Sequence, residues 1–242
     1  MLFISSITIA RSQSVKSTES LSQLWLGYHN QARFSHRLGT WFDFQLRTKD
    51  DFYKEWSQNI TRVGLVYFVS NSTKLTAGYA YVNNYFGQYK NLPAPEHRGW
   101  QQIQWDTKYR NKTMIQRLRF EQRFRHKTLK DSALMRGYNF NYKLRYSLGF
   151  ELPINHKIPI DPGAISFIAS DEVHINFGKQ VVNNYFDQNR FIVGLKFQTT
   201  ATDNLQVAYM NLFQQLSAGN KYKDIHAVRF FYFQNFDLRK KK

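Results

Sequence analysis

In the segment Met114 to His126, MIQRLRFEQRFRH, four arginines and a glutamate recur at every second position: Arg117, Arg119, Glu121, Arg123 and Arg125. The other phase holds Met114, Leu118, Phe120 and Phe124, interrupted by Gln116 and Gln122. Alternate residues of an extended strand point to opposite faces, so the charges share one face and the rings the other. Guanidinium groups massed on one face can fill an enclosed space with salt bridges and hydrogen bonds. They can also line a path that favours anions. If the apolar phase meets lipid, this charged phase lines a lumen. Neighbouring segments would then add Lys143, Arg145 and Glu151 on one side and Gln102, Gln104, Asp106 and Lys108 on the other.

A second constellation is Ser166, Ser170, Glu172, His174 and Asn176, which share one phase opposite Ile165, Phe167, Val173, Ile175 and Phe177. Serine, histidine and an acid together suggest a hydrolase, such as a barrel enzyme that modifies lipid or lipopolysaccharide. Two features oppose it. Same-face neighbours on one strand stand roughly 7 Å apart, out of direct hydrogen-bond reach for short side chains. This phase also faces inward, away from lipid tails, so no catalytic residue is assigned. Metal-ligand spacing, glycine-rich phosphate loops and nucleophile elbows are absent, and neither a metal nor a cofactor is expected.

Two further stretches nearly repeat: VNNYFGQ at Val82 to Gln88 and VNNYFDQ at Val182 to Gln188. In each, Asn83, Asn84, Tyr85 and Phe86, or Asn183, Asn184, Tyr185 and Phe186, are expected to follow a strand and open a long loop on the same rim. Asparagine suits the turn and the aromatics suit a membrane interface. A structural rim motif is expected, with a paired ligand site as the alternative.

The elements that must position these residues are strands. From Tyr138 to Glu151 every second residue is large and apolar, in the order Tyr138, Phe140, Tyr142, Leu144, Tyr146, Leu148, Phe150. Similar alternation appears at about 24–34, 40–48, 59–69, 73–83, 99–110, 113–126, 137–151, 164–178, 190–199, 204–214 and 224–236. Those eleven segments predict an antiparallel transmembrane β-barrel. Single-chain bacterial barrels have an even strand number, so about twelve strands are expected, one of them hidden before Leu24, with ten as the alternative. Short turns should lie on one rim and long loops on the other. The stretch Leu152 to Gly163, with Pro153, Pro159 and Pro162, is long where a short turn is due.

Composition narrows the classes. Among 242 residues, 34 are Lys or Arg against 17 Asp or Glu, a net charge of +17, which points to an anionic partner. A soluble β-sheet nucleic-acid binder would place basic and aromatic residues on one face so that bases stack while phosphates are neutralised. Here they occupy opposite phases, so nucleic acid is not expected as a partner. No stretch approaches the roughly twenty apolar residues of a membrane helix. The absence of cysteine excludes disulfides, thiolate metal sites and cysteine nucleophiles. Leu2 to Ala10 form a short apolar stretch ending in small residues, and residues 1–14 are read as a secretory signal ahead of one barrel domain over 15–242. A buried N-terminal strand is the alternative.

Several stretches resemble a family of Bacteroidetes outer-membrane proteins known as a domain of unknown function, number 2490. They are Pro95-Glu96-His97-Arg98 with Trp100-Gln101-Gln102, Arg117 to Phe124, Asp171-Glu172 with Asn176-Phe177, and Tyr185 to Arg190. The resemblance covers roughly Leu24 to Leu238. It implies a β-barrel in the bacterial outer membrane and no assigned activity. The expectation is therefore a structural or small-solute pore protein with an anion bias. Its partners would be outer-membrane lipids, lipopolysaccharide and small anionic solutes; the sequence does not specify an oligomeric state.

Overall fold

The computed structural model describes residues 15–49, 52, 55–85, 93–110, 112–129, 133–155, 158 and 160–239. The expected signal at 1–14 and Phe86 of the first rim motif lie outside the described residues.

Eleven strands form one closed barrel: β1 (Ser17–Arg33), β2 (Leu38–Thr48), β3 (Trp56–Phe68), β4 (Thr73–Tyr85), β5 (Pro93–Tyr109), β6 (Lys112–Leu129), β7 (Ala133–Pro153), β8 (Ile165–Phe177), β9 (Phe186–Gln198), β10 (Asp203–Gln215) and β11 (Lys221–Asp237). Each pairs antiparallel with the next, and closure comes from a parallel pairing of β1 with β11, from Ser17 beside Lys221 to Arg33 beside Asp237. This corrects the expected twelve strands and the alternative of ten. Residues 17–23 are not a separate strand but the first part of β1, which begins at Ser17. Evenness is required only when the first and last strands meet antiparallel, and here they do not. A consequence is that the two ends of the barrel leave from opposite rims.

Connections 34–37, 69–72, 110–111, 154–164 and 199–202 share one rim, which carries the shortest turns. Three of these turns are built alike. Ser35 Oγ accepts from the amides of Arg37 and Leu38, Ser70 Oγ from those of Ser72 and Thr73, and Thr200 Oγ1 from those of Thr202 and Asp203. A hydroxyl that caps the amides two and three residues on fixes a tight reversal without help from the core. At the opposite, long-loop rim β2, β4, β6, β8 and β10 end and β3, β5, β7, β9 and β11 begin, with the described connections 178–185 and 216–220 between them. The loop expected over Lys127 to Arg136 is mostly strand, because β6 and β7 continue to Leu129 and from Ala133.

Strand stagger follows from the registers. From Gly27, the paired residues run one way through Gln45, Ile60, Val82, Glu96 and Arg125 to Asn139, and the other way through Phe231, Gln206, Lys196 and Ser166 to Pro153. Both routes end on β7, fourteen residues apart, which tilts the strands by about 45°. At about 3.3 Å per residue, a tilted 13-residue strand such as β3, β4, β8, β9 or β10 is about 30 Å tall.

The two faces differ as the period of two predicts. Outward lie Phe42, Phe44, Val63, Leu65, Tyr67, Leu75, Leu118, Phe124, Tyr146, Phe150, Phe167, Ile175, Phe191 and Leu195, all exposed. Inward lie most of the buried polar and charged side chains, among them Asp43, Arg62, Glu96, Arg119, Glu121, Arg145, Glu172 and His174. The inner wall is also divided laterally. Trp25, Met210, Leu212, Ile225, Ala227 and Phe231 form an apolar cluster on β1, β10 and β11, whereas the charges concentrate on β5 to β9.

Candidate functional site: the lumen

Arg117, Arg119, Glu121, Arg123 and Arg125 alternate along β6, whose register places Gln102 beside Arg119 on β5, and Arg145 and Lys143 beside Arg119 and Glu121 on β7. Three strands thus deliver one inward-facing charged sheet. It meets a second set from β8 and β9, and together they enclose the carboxylates.

Glu172 receives Arg117 Nη2 at 2.7 Å and Arg145 Nη2 at 2.9 Å, with Arg190 Nη1 at 3.8 Å. Arg145 also donates to Glu121 Oε1 at 2.9 Å, so one guanidinium bridges two acids. Glu96 is held by Arg98, with Nε to Oε1 at 2.9 Å and Nη2 to Oε2 at 3.1 Å, and by Arg123 from the adjacent strand. Asp187 accepts from Lys143 and, at 3.0 Å, from Asn176 Nδ2. Asp43 accepts from Arg62 Nε at 2.9 Å and Trp41 Nε1 at 2.8 Å. A buried carboxylate without such partners would lose several kcal/mol of hydration, which is why each stands beside at least one guanidinium or ammonium.

Cations outnumber these acids, and the surplus is held by amides and rings. Arg47 donates to Gln58 and Gln45, both at 2.8 Å, and stacks 3.6 Å from the Trp25 ring, which Arg190 approaches at 5.2 Å. Arg119 donates twice to Gln102 Oε1 and lies 4.5 Å above Trp100. Arg229 lies 4.1 Å from the Phe231 ring, and Arg125 donates to Asn141. Among the described residues, Arg47 Nε, Arg117 Nε, Arg119 Nη1 and Arg229 Nε are buried donors that find no hydrogen-bond acceptor.

A close backbone approach makes room for this packing. Gly64 of β3 faces Gly78 of β4, and the Trp100 indole lies against the pair. A Cβ on Gly78 would stand 2.8 Å from both Gly64 Cα and the Trp100 ring and would collide with the Val63 carbonyl oxygen.

The histidine constellation has a structural explanation. His174 Nε2 is 3.0 Å from Glu172 Oε2, closer than the spacing argument allowed, because the longer Glu and His side chains cover the gap. His174 is 1% exposed, its other ring nitrogen meets Gln188 at 2.7 Å, and among the described residues neither Ser166 nor Ser170 hydrogen-bonds to it. It is packed between Glu172 and Gln188. Among the described residues no group of three or more His, Asp or Glu is placed to hold a metal ion.

The two NNYF copies lie at the same rim but are not equivalent. Asn83, Asn84 and Tyr85 end β4, where Gln58 donates to Asn84 Oδ1 and Asn59 to the Tyr85 hydroxyl at 3.0 Å. In the second copy Asn183, Asn184 and Tyr185 lie in the connection before β9, and Phe186 opens that strand rather than following one. Asn183 there donates to the Ser217 carbonyl of the next loop. The hydrogen bonds of these residues brace neighbouring strands and loops.

Sequence reasoning missed the Glu96 and Arg98 pair, Asp187 as the partner of Lys143, Arg190 beside Glu172, and Arg62 with Asp43. The first had a readable signal, since Glu96 and Arg98 continue the phase of Gln102 once β5 is extended back from Gly99 to Pro93.

The fold and its interior define a closed all-β barrel with an ion-paired core. Within that class, the chain belongs to the family described as Protein of unknown function (DUF2490), whose model matches residues 22–223. No curated protein and no solved structure matches it.

Proposed function

We propose that this chain is an integral β-barrel protein of a bacterial outer membrane, as its resemblance to Bacteroidetes proteins implies, with a structural role and a lumen filled by ion pairs. One observation carries the reading: the outward phase is apolar around the barrel while ions occupy the inward phase, the reverse of a water-soluble sheet. Strands about 30 Å tall match the hydrocarbon thickness of a bilayer. Fractionation tests it. The protein should partition with outer membranes and migrate differently on a gel before and after boiling; recovery in the soluble fraction with unchanged migration refutes it.

An anion bias is the second reading, and the surplus arginines favour it. Among the described residues, buried donors at Arg47, Arg117, Arg119 and Arg229 have no hydrogen-bond acceptor, so any ion admitted when the network loosens meets an unbalanced positive lining. The packed wild-type lumen should give little conductance in planar bilayers. Weakening the plug with Glu96→Ala should raise conductance with anions preferred, and cation preference would refute the bias.

A further inference from the structure

On the outer wall the apolar phase of β10 and β11 is interrupted between its middle and the long-loop rim. Tyr209 and Asn211 on β10, and Asp224 and His226 on β11, lie in the phase opposite the inward Met210, Leu212, Ile225 and Ala227. They form a continuous polar chain. The Tyr209 hydroxyl is 2.6 Å from His226 Nδ1, His226 Nε2 is 3.6 Å from Asp224 Oδ2, and Asn211 Nδ2 donates to Asp224 Oδ1 at 2.6 Å. The His226 side chain is 42% exposed, so unlike His174 it is open to whatever covers the wall. Its depth is defined by its neighbours. Towards the long-loop rim Phe213 and Tyr222 stack at 5.3 Å, as in an interfacial aromatic girdle, and towards the middle follow Val228, Val207 and Phe230. The chain therefore sits just inside the girdle, at the level where acyl esters of membrane lipids lie. Ionisable groups at such a depth are costly and mark function by default.

We infer that Tyr209, His226 and Asp224 form a lipid-facing acyl-ester hydrolase site, whose substrate class is the carboxylic ester of a membrane lipid. The inference rests on the membrane-embedded reading above. With Nδ1 of His226 accepting the phenol proton, Tyr209 Oη bonds to the ester carbonyl carbon. The bond from that carbon to the alcohol oxygen breaks, and His226 returns the proton to the departing alcohol. Water then gives a proton to His226 and attacks the tyrosyl ester; the bond to Oη breaks, and Tyr209 regains its proton. The net change is ester plus water to fatty acid plus alcohol. Tyr209 and His226 are the catalytic residues. Asp224, oriented by Asn211, is a positioning residue that holds the imidazole with Nδ1 towards the phenol.

The test uses the full chain folded into vesicles of phosphatidylethanolamine and phosphatidylglycerol, or into vesicles carrying lipopolysaccharide, with released fatty acid measured. Release from one vesicle type alone identifies which lipid supplies the ester. Tyr209→Phe and His226→Ala should lower release by roughly 10²-fold or more while keeping the heat-dependent gel shift. Asp224→Asn should lower kcat with KM unchanged. His174→Ala, offered as a control, should leave release intact wherever the variant folds. Wild-type protein that floats with both vesicles and shows the gel shift but releases no fatty acid overturns the inference and leaves the barrel reading standing. Release unaffected by Tyr209→Phe also overturns it. Protein that neither floats nor shifts on the gel removes both.

Discussion

Glu172 and Asp171 are adjacent acids on β8 that the fold turns to opposite sides of the wall, and neutralising each in turn tests the inside-outside assignment. Glu172 is 4% exposed and accepts from Arg117 at 2.7 Å and from Arg145 at 2.9 Å. Glu172→Gln keeps the shape but removes the charge that balances two guanidinium groups. Arg145 retains Glu121 at 2.9 Å, and Arg117, 29% exposed, turns partly to water. The loss is therefore that of one broken buried pair, about 3–5 kcal/mol. With a urea slope of about 2 kcal/mol per molar, the unfolding midpoint should fall by about 2 M. Asp171 points outward, where Asn189 donates to it, at 2.9 and 3.0 Å. Asp171→Asn removes a charge from the outer wall, where a charge is costly if lipid covers it, and should leave stability unchanged or raise it. Urea titration of tryptophan fluorescence on vesicle-folded protein measures both. A Glu172→Gln shift below about 1 kcal/mol, or an Asp171→Asn loss as large as that of Glu172→Gln, would refute the placement of the ion-pair core.

Three further outcomes follow from the same geometry. Val63 is 48% exposed and midway along β3, so Val63→Arg should cost about 2–4 kcal/mol in vesicles if lipid covers it; a neutral result in the same urea titration would argue against a lipid-facing wall. Gly78→Ala should abolish the heat-dependent gel shift or lower the unfolding midpoint markedly, since its Cβ collides with backbone. Gly137, where the nearest side-chain atom is 4.0 Å away but φ is +97°, should cost about 1 kcal/mol on the same change. Finally, if the barrel spans a membrane, epitopes inserted before Ser17 and after Asp237 should be reached by antibody from opposite sides of it, because β1 and β11 run parallel. Labelling of both from one side would exclude the parallel closure.

Much of the wall was legible in the chain. Arg117 to Arg125 alternate with Leu118, Phe120 and Phe124, and a period of two separates faces whatever the neighbours are. The partners were not legible. Arg117 meets Glu172, 55 positions away, through the stagger of β6, β7 and β8, and no local pattern encodes that distance. The outward Tyr209, Asn211, Asp224 and His226 had a faint signal as polar interruptions of an apolar phase, of the kind noted at Gln116 and Gln122. Recognising them as one chain needed the β10 and β11 register, which sets Asn211 beside His226.

What the sequence determines by itself is therefore local: strands where alternation persists, tight turns where Ser35, Ser70 and Thr200 cap the next amides, and which residues share a face. Tertiary structure alone decided the closure. Whether β1 meets β11 parallel or antiparallel depends on how many strands precede the seam and on the accumulated stagger, which are properties of the whole ring. Closure in turn fixed the odd strand number, sent the two ends to opposite rims, and brought the arginines of β6 against the acids of β8. A free strand has two faces but no inside, and only a closed ring gives the charged face an enclosed space in which it must find partners.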